Sequence, residues 1–338
     1  MNLDGARILL TGGAGFIGSH VAEALLRSGA SLSIVDNLNR FYPPHWKQAN
    51  LAAVSRAGSF QFCEASIDDV DALASVFESC RPDVVIHLAA YAGVRPSITN
   101  PRLYERINVG GTVNVLQMCR RFRVRKLIFG SSSSVYGATN NVPFTENEMD
   151  LRPISPYAAT KIAGEMLVHS YAHLFGISSI CLRFFTVYGP RQRPDLAIYK
   201  FTDSIEAGRP IQVFGDGTSG RDYTFISDIV DGVIASIGFE PEQRNGVRYE
   251  VFNLGNSNPV SLNELISEIE RATQRVAIIE RCPWQPGDVP ITWANISKAS
   301  EMLGYAPKMS LQEGLHQFVA WLRRVRAERE AAEVAVAA

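Results

Sequence analysis

The stretch TGGAGFIG, residues 11–18, constrains the fold of this chain more than any other feature. It directly follows the apolar run RILLT, residues 7–11, and leads into the helical pattern HVAEALLRSG. Glycines here permit a tight turn and let the backbone approach a pyrophosphate, while the helix N-terminus stabilises negative charge. The fingerprint fits in two registers, with Gly12 or Gly13 first and then Gly15 and Gly18. The segment therefore predicts a dinucleotide site.

A carboxylate at the end of the second predicted strand narrows the choice of dinucleotide. Asp36 closes the run SLSIVD, residues 31–36, at 18 residues after Gly18. A carboxylate at this point accepts hydrogen bonds from a ribose diol and repels a 2′-phosphate. We therefore expect NAD as the cofactor in preference to NADP.

Strand-like and helical segments alternate through the first half of the chain. Short apolar runs at 7–11, 31–36, 60–66, 83–90, 126–131 and 178–186 are separated by helical patterns, among them 69–80, 102–123 and 157–176. This alternation is typical of a parallel sheet with right-handed crossovers and helices on both faces. The sequence thus predicts an α/β fold built on a doubly wound parallel Rossmann sheet.

Past residue 187 the alternation loosens and turn residues increase, as in YGPRQRPD and FGDGTSGRD. This change predicts a smaller C-terminal substrate-binding domain. The expected division is a Rossmann domain over 1–179, with a returning segment near 222–256, and a second domain over 180–330. The run EVFNLG, residues 250–255, is apolar enough to rejoin the main sheet.

Composition excludes several classes of protein. The 338 residues carry a net charge of −1, which gives no field that attracts nucleic acid or an anionic membrane. No apolar run approaches the roughly 20 residues of a membrane span, and the start lacks the pattern of a signal peptide. Five scattered cysteines without a CxxC pair indicate buried thiols in the cytosol, with no metal site.

A serine-rich strand end and a tyrosine–lysine pair supply candidate catalytic groups. FGSSSSVYG, residues 129–137, ends the fifth predicted strand, and YAATK, residues 157–161, begins a helix. Tyr157 and Lys161 are four residues apart and so share one helix face. We expect the lysine ammonium to lower the pKa of the phenol, which makes Tyr157 a general base, with Ser132 sharing its proton.

The motifs TGGAGFIG, HLAAYAGV, SSSSVYG, YAATK and GRDYTFISDI resemble those of the extended short-chain dehydrogenases/reductases across nearly the whole chain. Within that superfamily the chain is most similar to nucleotide-sugar 4-epimerases, in particular UDP-glucuronate 4-epimerases. The resemblance implies a bound NAD that takes a hydride from sugar C4 and returns it to the opposite face after the 4-keto sugar rotates. It also implies a homodimer that packs the 102–123 and 157–176 helices.

The resemblance also assigns cofactor-binding positions. They are Gly12, Gly15, Phe16, Ile17, Gly18, Asp36, Asn37, Ser66, Ile67, Leu88, Ala89, Ala90, Tyr157 and Lys161. One pair departs from the family pattern, which has an acid before Ile or Leu at the end of the third strand, where the carboxylate contacts adenine. Here the pair is Ser66–Ile67, so the adenine contact must differ.

Substrate-binding candidates lie on the serine loop, in the Val-Tyr-Gly-Pro turn and in the second half of the chain. They are Ser132, Ser133, Thr186, Arg191, Arg193, Lys200, Phe201, Val213, Phe214, Arg221 and Asp288. The resemblance places the last six near the UDP moiety. Guanidinium groups suit this role because they match phosphate geometry bidentately.

The resemblance places Thr186 and Arg193 near the substituent on sugar C5, and we expect them to hold it where it is a carboxylate. Oxidation of glucuronate at C4 makes a β-keto acid, so an epimerase must hold the carboxylate away from the orientation that releases CO₂. The position before Val-Tyr-Gly, which is acidic in related decarboxylases and dehydratases, is Ser134 here and favours epimerisation. The alternatives are a UDP-glucose 4-epimerase, a UDP-glucuronate decarboxylase and, outside enzymes, a dinucleotide-sensing regulator.

Overall fold

The computed structural model describes residues 3–139, 141–284 and 289–337. The strands are β1 Arg7–Thr11, β2 Ser31–Asp36, β3 Gln61–Glu64, β4 Val84–His87, β5 Lys126–Ser132, β6 Ser178–Phe184, β7 Thr186–Tyr188, β8 Ile211–Phe214, β9 Gly220–Phe225, β10 Gln243–Arg244, β11 Val247–Leu254, β12 Pro259–Ser261 and β13 Ile279–Cys282. The α-helices are α1 Phe16–Arg27, α2 Pro44–Ser55, α3 Val70–Cys80, α4 Val94–Thr99, α5 Pro101–Tyr104, α6 Gly111–Arg121, α7 Pro156–Phe175, α8 Ala197–Glu206, α9 Ile226–Gly238, α10 Leu262–Thr273, α11 Ser297–Leu303 and α12 Leu311–Ala337. Over the described ranges, no helix has the length and apolar character needed to cross a membrane.

Eight strands form the main sheet in the order β10-β11-β6-β5-β4-β1-β2-β3. All neighbours pair in parallel except β10 and β11, which are antiparallel. The winding proceeds outward from β1 to β3 on one side and from β4 to β6 on the other, so the order reverses between β1 and β4. The predicted doubly wound parallel sheet and the return of β11 to it are both confirmed. Ligands of open α/β sheets bind beyond the carboxyl ends of the strands at such a reversal.

Helices cover both faces of this sheet. Helices α3, α6 and α7 form one layer, and α1 and α9 pack on the other side. Along β5, Leu127 and Phe129 enter one apolar cluster while Ile128 enters the other. Successive strand residues point to opposite faces, so a strand that is buried on both reads as a continuous apolar run. These continuous apolar runs made the strands predictable from the sequence.

The predicted helix 102–123 is interrupted by a π-helical turn, Glu105–Gly110, between α5 and α6. Asn108 in this turn is buried and bonds three groups. Its Oδ1 accepts from the Tyr91 amide at 2.8 Å, and its Nδ2 donates to the Tyr91 carbonyl at 2.9 Å and to Thr160 Oγ1 at 3.0 Å. The turn thereby fixes the loop after β4 against helix α7.

The predicted strand 178–186 is divided after Phe184. β6 belongs to the main sheet, whereas β7 joins a separate sheet of order β12-β9-β7. A third sheet pairs β13 with β8. Thr186 therefore starts the crossing from the main sheet into the C-terminal portion. The division of the chain at residue 179 stays a prediction, and buried side chains from both portions join one apolar cluster.

Candidate active site

One cavity of about 450 Å³ opens beyond the carboxyl ends of the central strands. All fourteen predicted cofactor-binding residues line it. Four predicted substrate-binding residues also line it, namely Ser132, Ser133, Thr186 and Arg193. The cavity therefore extends from the glycine-rich turn after β1 to the turn after β7.

The glycine-rich turn forms the wall of the cavity at the N-terminus of α1. Gly12 has a φ of 74°, and a Cβ there would lie 2.8 Å from the Ala89 backbone nitrogen. A Cβ on Gly18 would overlap the Gly12 carbonyl oxygen. Only glycine fits both positions, and α1 begins at Phe16 with its unpaired amides close to the same wall. This arrangement fits a pyrophosphate.

Asp36 stands at the carboxyl end of β2 and is buried in the cavity wall. Its Oδ2 accepts from the Ala14 amide at 3.2 Å, and its Oδ1 accepts from the Leu38 amide at 2.9 Å. Lys47 Nζ approaches Oδ1 at 3.4 Å, and both side chains are no more than 6% exposed. Burial lowers the pKa of Lys47, and the Asp36 carboxylate opposes that shift.

Lys47 is a cavity residue that the sequence analysis missed, because helix α2 was not recognised. The segment PHWKQANLAAVS shows little amphipathic periodicity, so its helical character is hidden in the sequence. Helix α2 also carries Asn50, whose Nδ2 donates to the Ala14 carbonyl at 2.9 Å. The helix therefore braces the glycine-rich turn as well as Asp36.

Ser66, which stands where the family pattern has an acid, lies close to the carboxylate of Asp68. Ser66 Oγ donates to Asp68 and accepts from Asn37 Nδ2 at 3.1 Å. Ile67 is buried and lies next to Gly111. Asp68 itself is not part of the cavity lining, so at this point the cavity wall presents the Ser66 hydroxyl.

Tyr157, Ser132 and Lys161 all line the cavity. Helix α7 starts at Pro156 with Ser155 as its N-cap, and this places the tyrosine in the first turn. Ser132, at the end of β5, lies close enough to the Tyr157 phenol to oppose the rise in its pKa. Lys161 Nζ lies 5.9 Å from the centre of the tyrosine ring and donates to the Gly130 carbonyl at 2.7 Å.

The pKa of Tyr157 differs from the sequence expectation. Burial raises it, and the Ser132 hydrogen bond and the positive charge of Arg193 only oppose the rise. Burial also lowers the pKa of Lys161 to about 8, against the attraction of Glu165. The prediction that Lys161 lowers the pKa of the phenol is therefore wrong for the chain by itself, since desolvation is the larger effect on both groups.

A buried ion pair beneath the catalytic helix was also missed. Arg183 Nε and Nη2 donate to Glu165 at 2.9 and 2.8 Å, and Arg183 Nη1 donates to the Tyr136 hydroxyl at 2.9 Å. Ser131 Oγ donates to the same carboxylate at 2.5 Å. These bonds tie β5, β6 and α7 together below Lys161. The one available signal was the spacing of Glu165, four residues after Lys161 on one helix face.

The two arginines after the Val-Tyr-Gly-Pro turn point in different directions. Arg193 lines the cavity, whereas Arg191 does not. Arg191 Nη1 donates to Glu23 at 2.7 Å and its guanidinium contacts His20, both on α1. Arg191 has a φ of 67°, in the left-handed region. The geometry therefore gives no support to the prediction that Arg191 binds substrate.

The remaining substrate-binding candidates that the structure describes lie in the C-terminal portion, outside the lining of this cavity. Phe201 and Val213 are buried, Lys200 is exposed, and the Arg95 guanidinium lies 5.0 Å from the centre of the Phe214 ring. Arg221 Nη1 donates to the Gly220 carbonyl at 2.8 Å. Asp288 lies outside the described residues.

Comparisons with known proteins agree with this geometry. The family model described as GDP-mannose 4,6 dehydratase matches residues 9–318. The UDP-glucuronate 4-epimerase of Thermodesulfobacterium geofontis is 43% identical over 314 residues, which are 93% of this chain and 95% of that protein. The crystal structure of UDP-glucuronic acid 4-epimerase from Bacillus cereus, in complex with UDP-glucuronic acid and NAD, has a TM-score of 0.87 at 36% identity and covers 94% of this chain and 99% of that chain. The crystal structure of UDP-glucose 4-epimerase from Thermotoga maritima with UDP-glucose has a TM-score of 0.86 at 34% identity, and the match covers 94% of this chain and 99% of that chain.

Proposed function

This chain belongs to the GDP-mannose 4,6 dehydratase family, and we propose that it is an NAD-dependent UDP-glucuronate 4-epimerase that forms UDP-galacturonate. The observation that carries the proposal is the arrangement of one cavity. The glycine-rich turn, the three groups Ser132, Tyr157 and Lys161, and the pair Thr186 and Arg193 all line it. Relatives named UDP-glucuronate 4-epimerase match nearly the whole chain at 38–43% identity.

The cofactor end of the cavity fits NAD. The bare glycine backbone and the N-terminus of α1 suit the pyrophosphate, and Asp36 suits the adenosine ribose. Bound NAD supplies the group that accepts the hydride from sugar C4 and gives it back. Lys47 places a positive charge beside Asp36 and partly offsets the negative charge of the carboxylate. We therefore expect Asp36 to act mainly by hydrogen bonding to the ribose diol, and less by repelling a 2′-phosphate.

Tyr157 is the proposed base that takes the proton of the sugar 4-hydroxyl as C4 is oxidised. Ser132 donates to the phenol and stabilises its charged form. Lys161 is fixed by the Gly130 carbonyl and brings an ammonium to the same point. The dinucleotide-sensing alternative gives no reason for all three groups to converge in the cavity.

At the sugar end, Thr186 and Arg193 are proposed to hold the C6 carboxylate. A hydroxyl donor and a guanidinium can fix its orientation at the stage when C4 is a ketone, and such positional control is worth several kcal/mol. Lys200, Phe201, Val213, Phe214, Arg221 and Asp288 remain proposed contacts of the UDP moiety.

Product analysis tests the function. Purified protein is incubated with UDP-glucuronate or with UDP-glucose, without added cofactor, and the products are identified by NMR. We expect UDP-galacturonate from the first substrate and NAD, not NADP, in the supernatant of denatured protein. UDP-xylose would identify a decarboxylase, and turnover of UDP-glucose alone would identify a neutral-sugar epimerase. A protein that is inactive on both substrates would refute the enzyme assignment.

We also propose a homodimer formed through helix α7 and its neighbours α5 and α6. Large apolar side chains are exposed on α7, with Met166 at 51%, Leu174 at 65% and Phe175 at 39%. Apolar groups that stay exposed together on one element are typical of an interface. The absence of nucleic-acid and membrane partners stays a prediction. The cytosolic location also stays a prediction, and the five free thiols are consistent with it.

Light scattering tests the dimer. The parent should show about twice the chain mass of 37.2 kDa. Met166→Glu places a charge in the proposed interface and should shift the mass toward one chain. Met149→Glu is the matched control, because Met149 is 92% exposed and lies outside the helices. A parent with the mass of one chain would exclude the dimer.

A further inference from the structure

Two neighbours, Asp195 and Phe41, hold the Arg193 guanidinium at the cavity wall. Its Nε and Nη2 donate to Asp195 at 3.0 and 2.8 Å, one to each carboxylate oxygen. The ring centre of Phe41 lies 5.2 Å from the guanidinium carbon. The arginine side chain is 16% exposed and the aspartate 35%. The guanidinium is therefore fixed in its plane by the carboxylate and on one face by the ring.

The chain between the two charges is short and stiff. Arg193 and Asp195 are separated by Pro194 alone, whose ring fixes its own φ and restricts the residue before it. The Leu196 amide donates to the Arg193 carbonyl at 3.3 Å, and α8 begins at the next residue. Asp195 is thus tied to the same turn as the arginine that it pairs with.

The ion pair with Asp195 leaves one edge of the Arg193 guanidinium available for a ligand. A guanidinium carries five N–H donors, and the bidentate contact uses one edge, formed by Nε and Nη2. Nη1 has no hydrogen-bond partner among the residues that the structure describes, and the edge formed by Nη1 and the second N–H of Nη2 can still bind a carboxylate end-on. Asp195 and a ligand carboxylate can therefore bind Arg193 at the same time.

The charge of Arg193 reaches the catalytic group. It opposes the rise in the pKa of the Tyr157 phenol. Phe41, which packs on the guanidinium, belongs to the loop that leaves β2 just after Asp36, so this loop links Asp36 and Arg193 along the cavity lining. A guanidinium that turned out of its present plane would lose its contacts with Asp195 and Phe41.

We propose that Asp195 is a positioning residue that holds Arg193 with its end-on edge toward the C6 carboxylate of the substrate. The inference rests on the proposed function and extends it from the arginine to the aspartate behind it. It predicts that removal of the Asp195 charge affects the binding and the fate of an acidic sugar, and leaves a neutral sugar unaffected.

The fate of the acidic sugar follows from the chemistry of its 4-keto form. If the carboxylate rotates, the C5–C6 bond breaks, its electron pair moves to the C4 carbonyl as an enolate, and C5 then takes a proton. CO₂ leaves, a 4-keto-pentose nucleotide remains, and the hydride taken from C4 stays on the cofactor as NADH. Each such turnover therefore releases one CO₂ and leaves one reduced cofactor.

The test is Asp195→Asn, which keeps the shape and removes the charge. We expect KM for UDP-glucuronate to rise about tenfold or more, the range for loss of a charge-assisted contact, with kcat changed much less. Binding of UDP-glucose should stay within about twofold of the parent, and NADH and CO₂ from C6-labelled substrate should increase. Asp195→Glu, which keeps the charge, should recover part of the affinity. Asp150→Asn is the matched control, because Asp150 pairs with Arg152 at the same spacing of two residues, exposed and outside the cavity lining.

Three outcomes would overturn the proposal. Tighter binding of UDP-glucuronate by Asp195→Asn would show that Asp195 competes with the substrate for Arg193. Equal losses for UDP-glucuronate and UDP-glucose would show a general structural role. Equal behaviour of the Asn and Glu variants would show that the charge of Asp195 is irrelevant. These three outcomes are interpreted only if the unaltered protein epimerises UDP-glucuronate. An unaltered protein without that activity would refute the proposed function and not the role of Asp195.

Discussion

Replacing Tyr157 by phenylalanine should lower the rate of UDP-glucuronate epimerisation at least about a hundredfold, the usual contribution of a general base. The phenylalanine keeps the ring that packs against Tyr104 and removes only the hydroxyl that Ser132 contacts. The fold and the NAD content should therefore stay those of the parent. Initial rates by NMR, together with NAD content and thermal unfolding, provide the measurement.

Tyr91→Phe is the matched control for this result. Tyr91 lines the same cavity, and its ring packs edge-on against Tyr104, on which Tyr157 also packs. Loss of the Tyr91 hydroxyl should leave the rate close to that of the parent. Near-parent turnover by Tyr157→Phe would remove Tyr157 from the mechanism, and equal losses in both variants would point to a general disturbance of the cavity.

Replacing Arg193 by alanine should weaken UDP-glucuronate binding roughly tenfold to 150-fold, because loss of a charge-assisted hydrogen bond costs about 1.5–3 kcal/mol. UDP-glucose lacks the carboxylate, so its binding should change little. Thr186→Val keeps the side-chain shape and removes the donor, and it should allow a fraction of turnovers to lose CO₂ and leave the enzyme with NADH. Calorimetry on both nucleotides and the near-ultraviolet absorbance of NADH measure these effects.

Arg191→Ala serves as the control for Arg193→Ala. It removes the same residue type from the same turn, but this arginine pairs with Glu23 on α1, where both side chains are at most 14% exposed. We expect lower thermal stability and an unchanged ratio of affinities for the two nucleotides. If Arg193→Ala leaves that ratio unchanged as well, and Thr186→Val releases no extra CO₂, the two cavity residues do not hold the carboxylate.

Some features of this protein were predictable because their signals are local. The glycine-rich turn, Asp36 and the pair Tyr157–Lys161 are each defined by a few residues in fixed relation to a strand end or a helix start. The pleat of a doubly buried strand and the pitch of a helix convert such spacing directly into a shared face or a shared edge. The sheet and the first strand–turn–helix unit were therefore predicted at the right places in the chain, and Tyr157 and Lys161 do line one cavity.

Other features depend on packing between distant segments. Arg191 and Arg193 have the same side chain in one turn, yet Arg191 meets Glu23, which is 168 residues away, and Arg193 meets the cavity. Lys47 reaches Asp36 only because α2 folds back over β2, and Arg183 reaches Glu165 only because β6 lies under α7. The pKa of Tyr157 likewise follows from burial that no local pattern records.

The Rossmann sheet and the glycine-rich turn at its edge thus follow from local sequence, since backbone periodicity and glycine conformation are encoded within a few neighbouring residues. Only the packing of distant segments selects which of the two arginines in this turn enters the cavity and which acids pair with the buried cations. The physical reason is that a charged group must find its partner when it leaves water, and that partner is chosen by the packing of whole elements.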